Sequence, residues 1–289
     1  EKRIKPSRDE KTLSAWNGMM LAAFAEAARV LDDDTYRQVA IQNADFLMSE
    51  LSMDDGRLYR THKRYADGDG GESKLNGYLE DYANVVDGLL ELYQTIFDER
   101  WFREARRLTD YVIAHFADKE NGGFYDTSDD HEQLIARPRN LQDNATPSGN
   151  SLMALNLVRL SAYTGEASYE QAALGTLSQV VAGMREYPSA FGVALSAAYL
   201  LVNAPVEVAV VGDPDATEAR ELLDTIQKPF HPRVITALST ADSRENAEPP
   251  LLNSRKMRQD QPTVYVCQNF VCELPVNTKA EVERLLAEA

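Results

Sequence analysis

GYLEDYANVVDGLLELY, residues 77–93, is the stretch whose reading decides the fold. Two adjacent carboxylates and a tyrosine (Glu80, Asp81, Tyr82) open an otherwise apolar segment, the pattern of a helix buried on most sides. The segment has counterparts. Tyr36, Trp101 and Tyr169 each follow a short polar turn (LDDDTY, FDERW, TGEASY), spaced by 65 and then 68 residues. Four residues after each stands Ala40, Ala105 or Ala173, and eleven after each stands Leu47, Val112 or Val180. Fifteen before each stands Leu21, Val86 or Ala154. A period this long with two helical patterns per unit reads as stacked helical hairpins.

The spacing predicts helices over 12–31 and 35–51, 79–97 and 99–117, 149–164 and 168–184, with an unpaired helix at 189–203. The first helix of each pair is apolar nearly all round, and the second carries one charged face. Buried inner helices alternating with half-exposed outer ones describe a mainly α chain, an incomplete α/α toroid over 1–204. Its inner helices run parallel, so their N-termini open on one mouth. Trp16, Asn17, Glu80, Asp81, Tyr82, Asn150 and Phe191 are expected on that rim. The links into the inner helices, 52–77 and 118–148, are long enough to be functional loops. After Ala204-Pro205, strands at 206–212, 233–238 and 263–268 alternate with helices at 214–228 and 277–288. This predicts a small C-terminal α/β module over 205–289, with a loose loop at 239–261.

Of 289 residues, 46 are acidic and 30 basic, giving a formal charge of −16, which argues against nucleic acid as a partner. Arg outnumbers Lys by 21 to nine; such a surface suits a high-salt cytoplasm or is simply a solvated acidic face. No apolar run is long enough for a membrane span, and no signal peptide opens the chain. Two cysteines do not make a disulfide scaffold, so a reducing, cytoplasmic setting is the default.

Several motifs occur in one order: R-I-K-P-x-x-D-E-K-x-L-S-A-W-N-G (3–18), G-R-L-Y-R (56–60), G-Y-L-E-D-Y-A (77–83), G-G-F-Y-D-T (122–127), A-T-P-S-G-N-S (145–151) and Y-V-C-x-x-x-x-C-x-x-P (265–275). Together they resemble the C-terminal part of the YyaL-type proteins, the spermatogenesis-associated thioredoxin-domain family. The resemblance implies a toroid of the six-hairpin glycosidase kind, similar to N-acylglucosamine 2-epimerases. It also implies a thioredoxin-like domain with a Cys-x-x-Cys motif and the rest of the toroid as partners of this stretch. Epimerases of that fold use a pair of histidines. Of His62, His115, His131 and His231, only His62 and His131 fall on mouth loops, and neither stands in a matching motif.

Glu80 and Asp81 read either as the carboxylates of a glycosidase-like acid/base site or as the acidic first turn that suits a helix N-terminus. Consecutive helical residues diverge by about 100°, so the second carboxylate of a pair would be Asp126, Asp143 or Asp9. Arg57, Arg60, His62, Lys63 and Arg64 gather on one loop, and Arg137 and Arg139 on the next. They would bind an anionic sugar, or else answer nearby acids. Trp16, Tyr82 and Tyr125 would stack on a sugar or pack the core, with Asn17 and Asn150 beside them. Cys267 and Cys272 are redox candidates or buried small residues, and two thiolates alone do not complete a zinc site. No cofactor or metal is expected. Apolar surface at Leu13, Met19, Leu195 and Leu200 would be left at the open ends of the row, and a homodimer is the expected cover.

Overall fold

Three helical hairpins repeat one turn. The pairs are α1 (Ser14–Leu31) with α2 (Asp34–Glu50), α3 (Leu79–Ile96) with α4 (Glu99–His115), and α5 (Gly149–Thr164) with α6 (Ala167–Ser178). Each first helix stops at a left-handed residue: Asp32 (φ 54°), Phe97 (φ 55°) or Gly165 (φ 74°). The residue after it, Asp33, Asp98 or Glu166, is the N-cap of the second helix. Asp33 accepts from the Thr35 N–H at 2.7 Å and Asp98 from the Arg100 N–H at 2.9 Å, caps that contribute about 1 kcal/mol each. A left-handed stop and an immediate cap reverse the chain, so each pair is antiparallel. The structure, a computed structural model, describes residues 9–65, 70–131, 135–242 and 245–289; positions 3–8 of the first motif lie outside them.

The inner row is α1, α3, α5 and α8 (Gly192–Asn203), each packed on the next. In α3, 13 of 18 residues are buried and in α5 14 of 16, against six of 18 in α1 and three of 12 in α8. The two central helices are therefore covered and the two end helices are open on one side. Every aliphatic and alanine position of the repeat is buried, from Leu21 and Ala40 to Ala173 and Val180. α1 and α3 meet backbone to backbone: a Cβ on Gly18 would lie 2.5 Å from the Asn84 carbonyl carbon, and one on Gly88 2.8 Å from the Gly18 oxygen. Further along, Arg159 of α5 holds Asp87 at 2.8 Å and Glu91 at 2.5 Å, and Arg29 of α1 holds Glu91 at 2.9 Å. Burial raises Asp87 to about 6. At Glu91 burial works the same way, but Arg159 and Arg29 outweigh it and keep that carboxyl below its usual range.

Several expectations are corrected. The helix expected over 168–184 breaks after Ser178 and resumes as α7 (Val181–Glu186). The link at 52–77 is not a loop but a hairpin, β2 (Tyr59–Arg64) with β3 (Gly71–Asn76), and β1 (Thr12–Leu13) pairs antiparallel with β2. The strands HKR and GESK are polar on both faces and lack the alternation that marks a half-buried strand. Leu200 is only 7% exposed, so it is not part of an open apolar end. Leu195 is exposed there as expected, together with Trp16, Met20, Tyr199 and Val202.

The C-terminal sheet runs β5 (Val234–Ser239), β4 (Val206–Val211), β6 (Thr263–Gln268), β7 (Val271–Cys272), with β4 and β5 parallel and the other pairs antiparallel. Along β4 the faces alternate. Val206, Val208 and Val210 pack towards α9 (Thr217–Gln227) and α10 (Lys279–Glu288), while Ala209 joins the core of the helical row. Tyr163 donates to the Thr236 oxygen at 3.1 Å, and Gln94 accepts from the Thr236 N–H at 3.0 Å. The described part of the 239–261 segment is anchored rather than loose, because Leu251 and Leu252 are buried in that same core.

Candidate active site

The N-termini of all four inner helices are tied together at one end. Asp81, in the first turn of α3, accepts the Ala15 N–H of α1 at 2.9 Å. Gly149 of α5 lies against Leu79 and Glu80, where a Cβ would come within 2.8 Å of the Leu79 side chain. Asp143 accepts the Ser148 N–H before α5 at 3.0 Å and the Val193 N–H of α8 at 2.8 Å. These contacts make the mouth a physical rim.

Around α3 the groups divide sharply. Asp81 is 1% exposed; one oxygen takes Ala15, and the other takes the Tyr78 N–H at 2.9 Å and Arg60 at 3.0 Å. Burial raises it to about 6, against the pull of Arg60 and both backbone donors. Glu80 is 42% exposed and shares Arg60 with Asp81, the same Nη1 lying 2.9 Å from Glu80 and 3.0 Å from Asp81. The Arg60 guanidinium lies over the Tyr78 ring at 4.4 Å. Asp126 is half-buried, and one of its oxygens accepts from the Asn140 N–H at 3.0 Å. Its backbone oxygen accepts the Leu79 N–H at 2.9 Å, which fixes this loop on the start of α3. Burial raises the Asp126 carboxyl, and the charge of Glu80 adds to that rise, so the two carboxylates share one field.

Trp16 projects from the first turn of α1 and is 63% exposed, and Asn17 is spoken for by the Leu13 oxygen at 2.9 Å. Tyr125 is half-buried, with Arg137 over its ring at 4.3 Å and Arg139 at 5.7 Å. The His131 ring lies 5.6 Å from that of Tyr78, and its Nδ1 has no hydrogen-bond partner among the described residues. Tyr78 and His131 thus belong to the rim. The only sequence signal for Tyr78 was its place just before the acidic turn.

Five expected binding residues do not face the mouth. Tyr82 is 1% exposed, stacks on Tyr111 and accepts the Leu58 N–H at 2.8 Å, so it is core. Asn150 is 2% exposed, accepting the Phe124 N–H at 2.9 Å and donating to the oxygens of Phe124 and Asn140 at 3.0 Å each; it staples the loop. His62 is buried between Ser73, at 3.0 Å from Nδ1, and the edge of Phe46. Arg137 donates to the oxygens of Thr127 and His115, holding the loop's own backbone. Asn17, bonded to Leu13, also accepts the Asn43 amide on its backbone oxygen at 2.9 Å. Cys267 and Cys272 are not separate buried thiols but a disulfide. Among the described residues no three His, Cys, Asp or Glu converge to hold a metal, and no helix is long and apolar enough to cross a membrane.

A row of helical hairpins with parallel inner helices and loops gathered over their N-termini is an incomplete α/α toroid carrying a small sheet module. The chain is similar over 98% of its length to the human spermatogenesis-associated protein 20, at 31% identity over 293 residues. It corresponds to the C-terminal part of that protein and spans 37% of its length. Among solved structures, a cellobiose 2-epimerase from Spirochaeta thermophila DSM 6192 aligns with 61% of this chain and 44% of its own (TM-score 0.49, 17% identity). An unsaturated glucuronyl hydrolase from Bacillus sp. GL1 aligns with 60% and 47% (TM-score 0.48, 17% identity). Likenesses this distant say nothing of reaction or substrate. No family model matches the chain.

Proposed function

We propose that the mouth binds a carbohydrate and acts on it by acid/base chemistry between Glu80 and Asp126. The observation that carries this reading is the split between the two carboxyls. Glu80 is open to solvent and paired with Arg60, while Asp126 is half-buried and its carboxyl is raised. Glycoside chemistry needs one carboxyl protonated and one ionised. The exposed face of Trp16 supplies stacking surface, whereas the Tyr125 ring is covered by Arg137. The sugar is proposed as neutral. Arg57 is paired with Asp130, Arg60 with Glu80 and Asp81, and Arg139 with Asp118, while Arg137 is bonded to carbonyls, so four of the five arginines that suggested an anion are occupied; the fifth, Arg64, is exposed at the end of β2.

A second reading, a non-catalytic module that docks other parts of a longer protein, is favoured by one observation. Trp16, Met20, Leu195 and Tyr199 expose apolar surface on the two end helices. A thermal-shift panel of neutral and acidic mono- and disaccharides separates the readings. Stabilisation by a neutral sugar, with turnover falling about 10²–10⁴-fold in Glu80→Gln and in Asp126→Asn, supports acid/base chemistry. Absence of any sugar-dependent shift, or full turnover in both variants, refutes it.

A further inference from the structure

Cys267 and Cys272 face each other across β6 and β7, and their sulfurs are bonded. The chain turns between them through Asn269 (φ 52°) and Phe270 (φ 61°), a two-residue turn with both φ positive, the form that suits paired strands. β7 is the edge of the sheet, and Cys272 is only half-buried there, whereas Cys267 is 2% exposed. Arg255 reaches this bond from the segment ahead of β6. Its Nη2 is 3.0 Å from Cys272 Sγ and 3.7 Å from Cys267 Sγ. The guanidinium is aimed there by packing: it lies over the Tyr265 ring at 4.9 Å, and its Nε donates to the Leu251 oxygen at 3.3 Å. Its carboxylate neighbour, Glu207, is taken up by the Phe270 N–H at 2.9 Å and acts on Arg255 only through space.

Among the described residues this half-buried cation has no ion pair in contact, Glu207 acting only through space, so a sulfur that leaves as thiolate supplies its first direct counter-charge. We propose that Cys267–Cys272 is an exchangeable disulfide that takes a dithiol as its reaction partner. A thiolate of the partner attacks Cys272 Sγ, the accessible sulfur on the edge strand. The S–S bond breaks, and its electron pair leaves on Cys267 Sγ as a thiolate beside Arg255. The partner's second thiolate then attacks the partner sulfur of the mixed disulfide, closing the partner's own disulfide and releasing the Cys272 thiolate 3.0 Å from Nη2. Two electrons pass to this chain, and the two protons of the partner dithiol go to solvent or to the released sulfurs. A neighbouring cation lowers the thiol pKa, and a lower leaving-group pKa speeds exchange. The Phe270 ring at the hairpin tip lies against Gly165 at the end of α5, where a Cβ would come within 3.2 Å of it.

The test titrates the oxidised chain with dithiothreitol at pH 7, traps thiols with N-ethylmaleimide, counts them by mass, and follows the fold by circular dichroism. The cysteines are expected to reduce while the chain stays folded. The alkylation rate of the reduced protein should turn over at least about one unit below the ordinary thiol value of about 8.5. Arg255→Met is expected to slow reduction about tenfold and to move that midpoint up by about one unit, with Arg255→Lys close to the parent. Thiols that appear only as the chain unfolds, or an Arg255→Met variant that matches the parent in rate and midpoint, overturn the proposal. If Arg255→Met does not fold, the parent's own midpoint and its reduction in the folded state decide.

Discussion

Replacing Arg159 by methionine keeps most of a buried stem and removes the charge that joins α5 to α3. Arg159 is 7% exposed and holds Asp87 at 2.8 Å and Glu91 at 2.5 Å. After the change Glu91 still has Arg29 at 2.9 Å, but Asp87 faces only the like charges of Glu91 and Glu26. Breaking a buried pair from one side costs about 3–5 kcal/mol. The Asp87 side chain is 21% exposed, which places the expected loss near the low end, about 3 kcal/mol at pH 8. The pH dependence has a definite sign. With Arg159 present, burial already raises Asp87 to about 6, above an unfolded value of about 3.9. A raised folded pKa gives stability that is full below the unfolded value and is lost as pH rises through the folded one. Without Arg159 the folded value climbs further, so the variant's deficit against the parent grows from pH 5 to pH 8. Urea unfolding followed by circular dichroism at both pH values measures it. Adding Asp87→Leu removes the orphaned carboxylate and should restore most of the loss. A deficit under about 1 kcal/mol at pH 8, or one that shrinks as pH rises, refutes the reasoning.

Asn150→Ala leaves the Phe124 N–H and the Phe124 and Asn140 oxygens without their partner. It should cost about 2–3 kcal/mol and speed limited proteolysis within 118–148; unchanged cleavage there would count against the stapling role. Gly18→Ala drives a Cβ to 2.5 Å from the Asn84 backbone, and a loss of at least about 1–3 kcal/mol is expected from overpacking, read as a lower urea midpoint. Tyr82→Phe strips the buried Leu58 N–H of its acceptor, with an expected loss of about 1–3 kcal/mol; a neutral result in the same assay would show that water replaces the hydroxyl.

The helical row was legible because its signal is redundant. Each hairpin repeats an aromatic, an alanine four residues later and an aliphatic eleven later, and a polar turn that becomes a left-handed stop and a cap. The β2–β3 hairpin was not, since His62 is buried by its partners Phe46 and Ser73 rather than by an apolar pattern along its own strand. The rim's position followed from helix direction alone. The orientation of each side chain on it did not, because Asn150 and Tyr82 turn inward to satisfy particular backbone groups in loops that sequence places only roughly. Cys267 and Cys272 were visible as a pair, but their bond depends on the register of a strand two residues long.

The opening choice for Glu80 and Asp81, between active site and acidic first turn, has a different answer for each residue. Neighbours on a helix diverge by about 100°, and while Asp81 turns in to bind Ala15 and Tyr78, Glu80 stays 42% exposed on the rim and meets Asp81 only at Arg60. The inward carboxylate caps the helix and joins two inner helices; the outward one is paired with Arg60 but stays 42% exposed, open to a ligand from the solvent side. The two substitutions should therefore separate cleanly. Asp81→Ala leaves the buried Ala15 and Tyr78 N–H groups without their acceptor, while Arg60 keeps Glu80, and should cost about 3 kcal/mol in urea unfolding. Glu80→Gln loses one partly exposed ion pair, with Glu80 and Arg60 42% and 25% exposed, and should cost no more than about 1 kcal/mol. Any sugar-dependent stabilisation should weaken in Glu80→Gln despite its intact fold. A Glu80 variant as unstable as the Asp81 variant would mean that both carboxylates are caps, and the mouth would lose its candidate acid/base group.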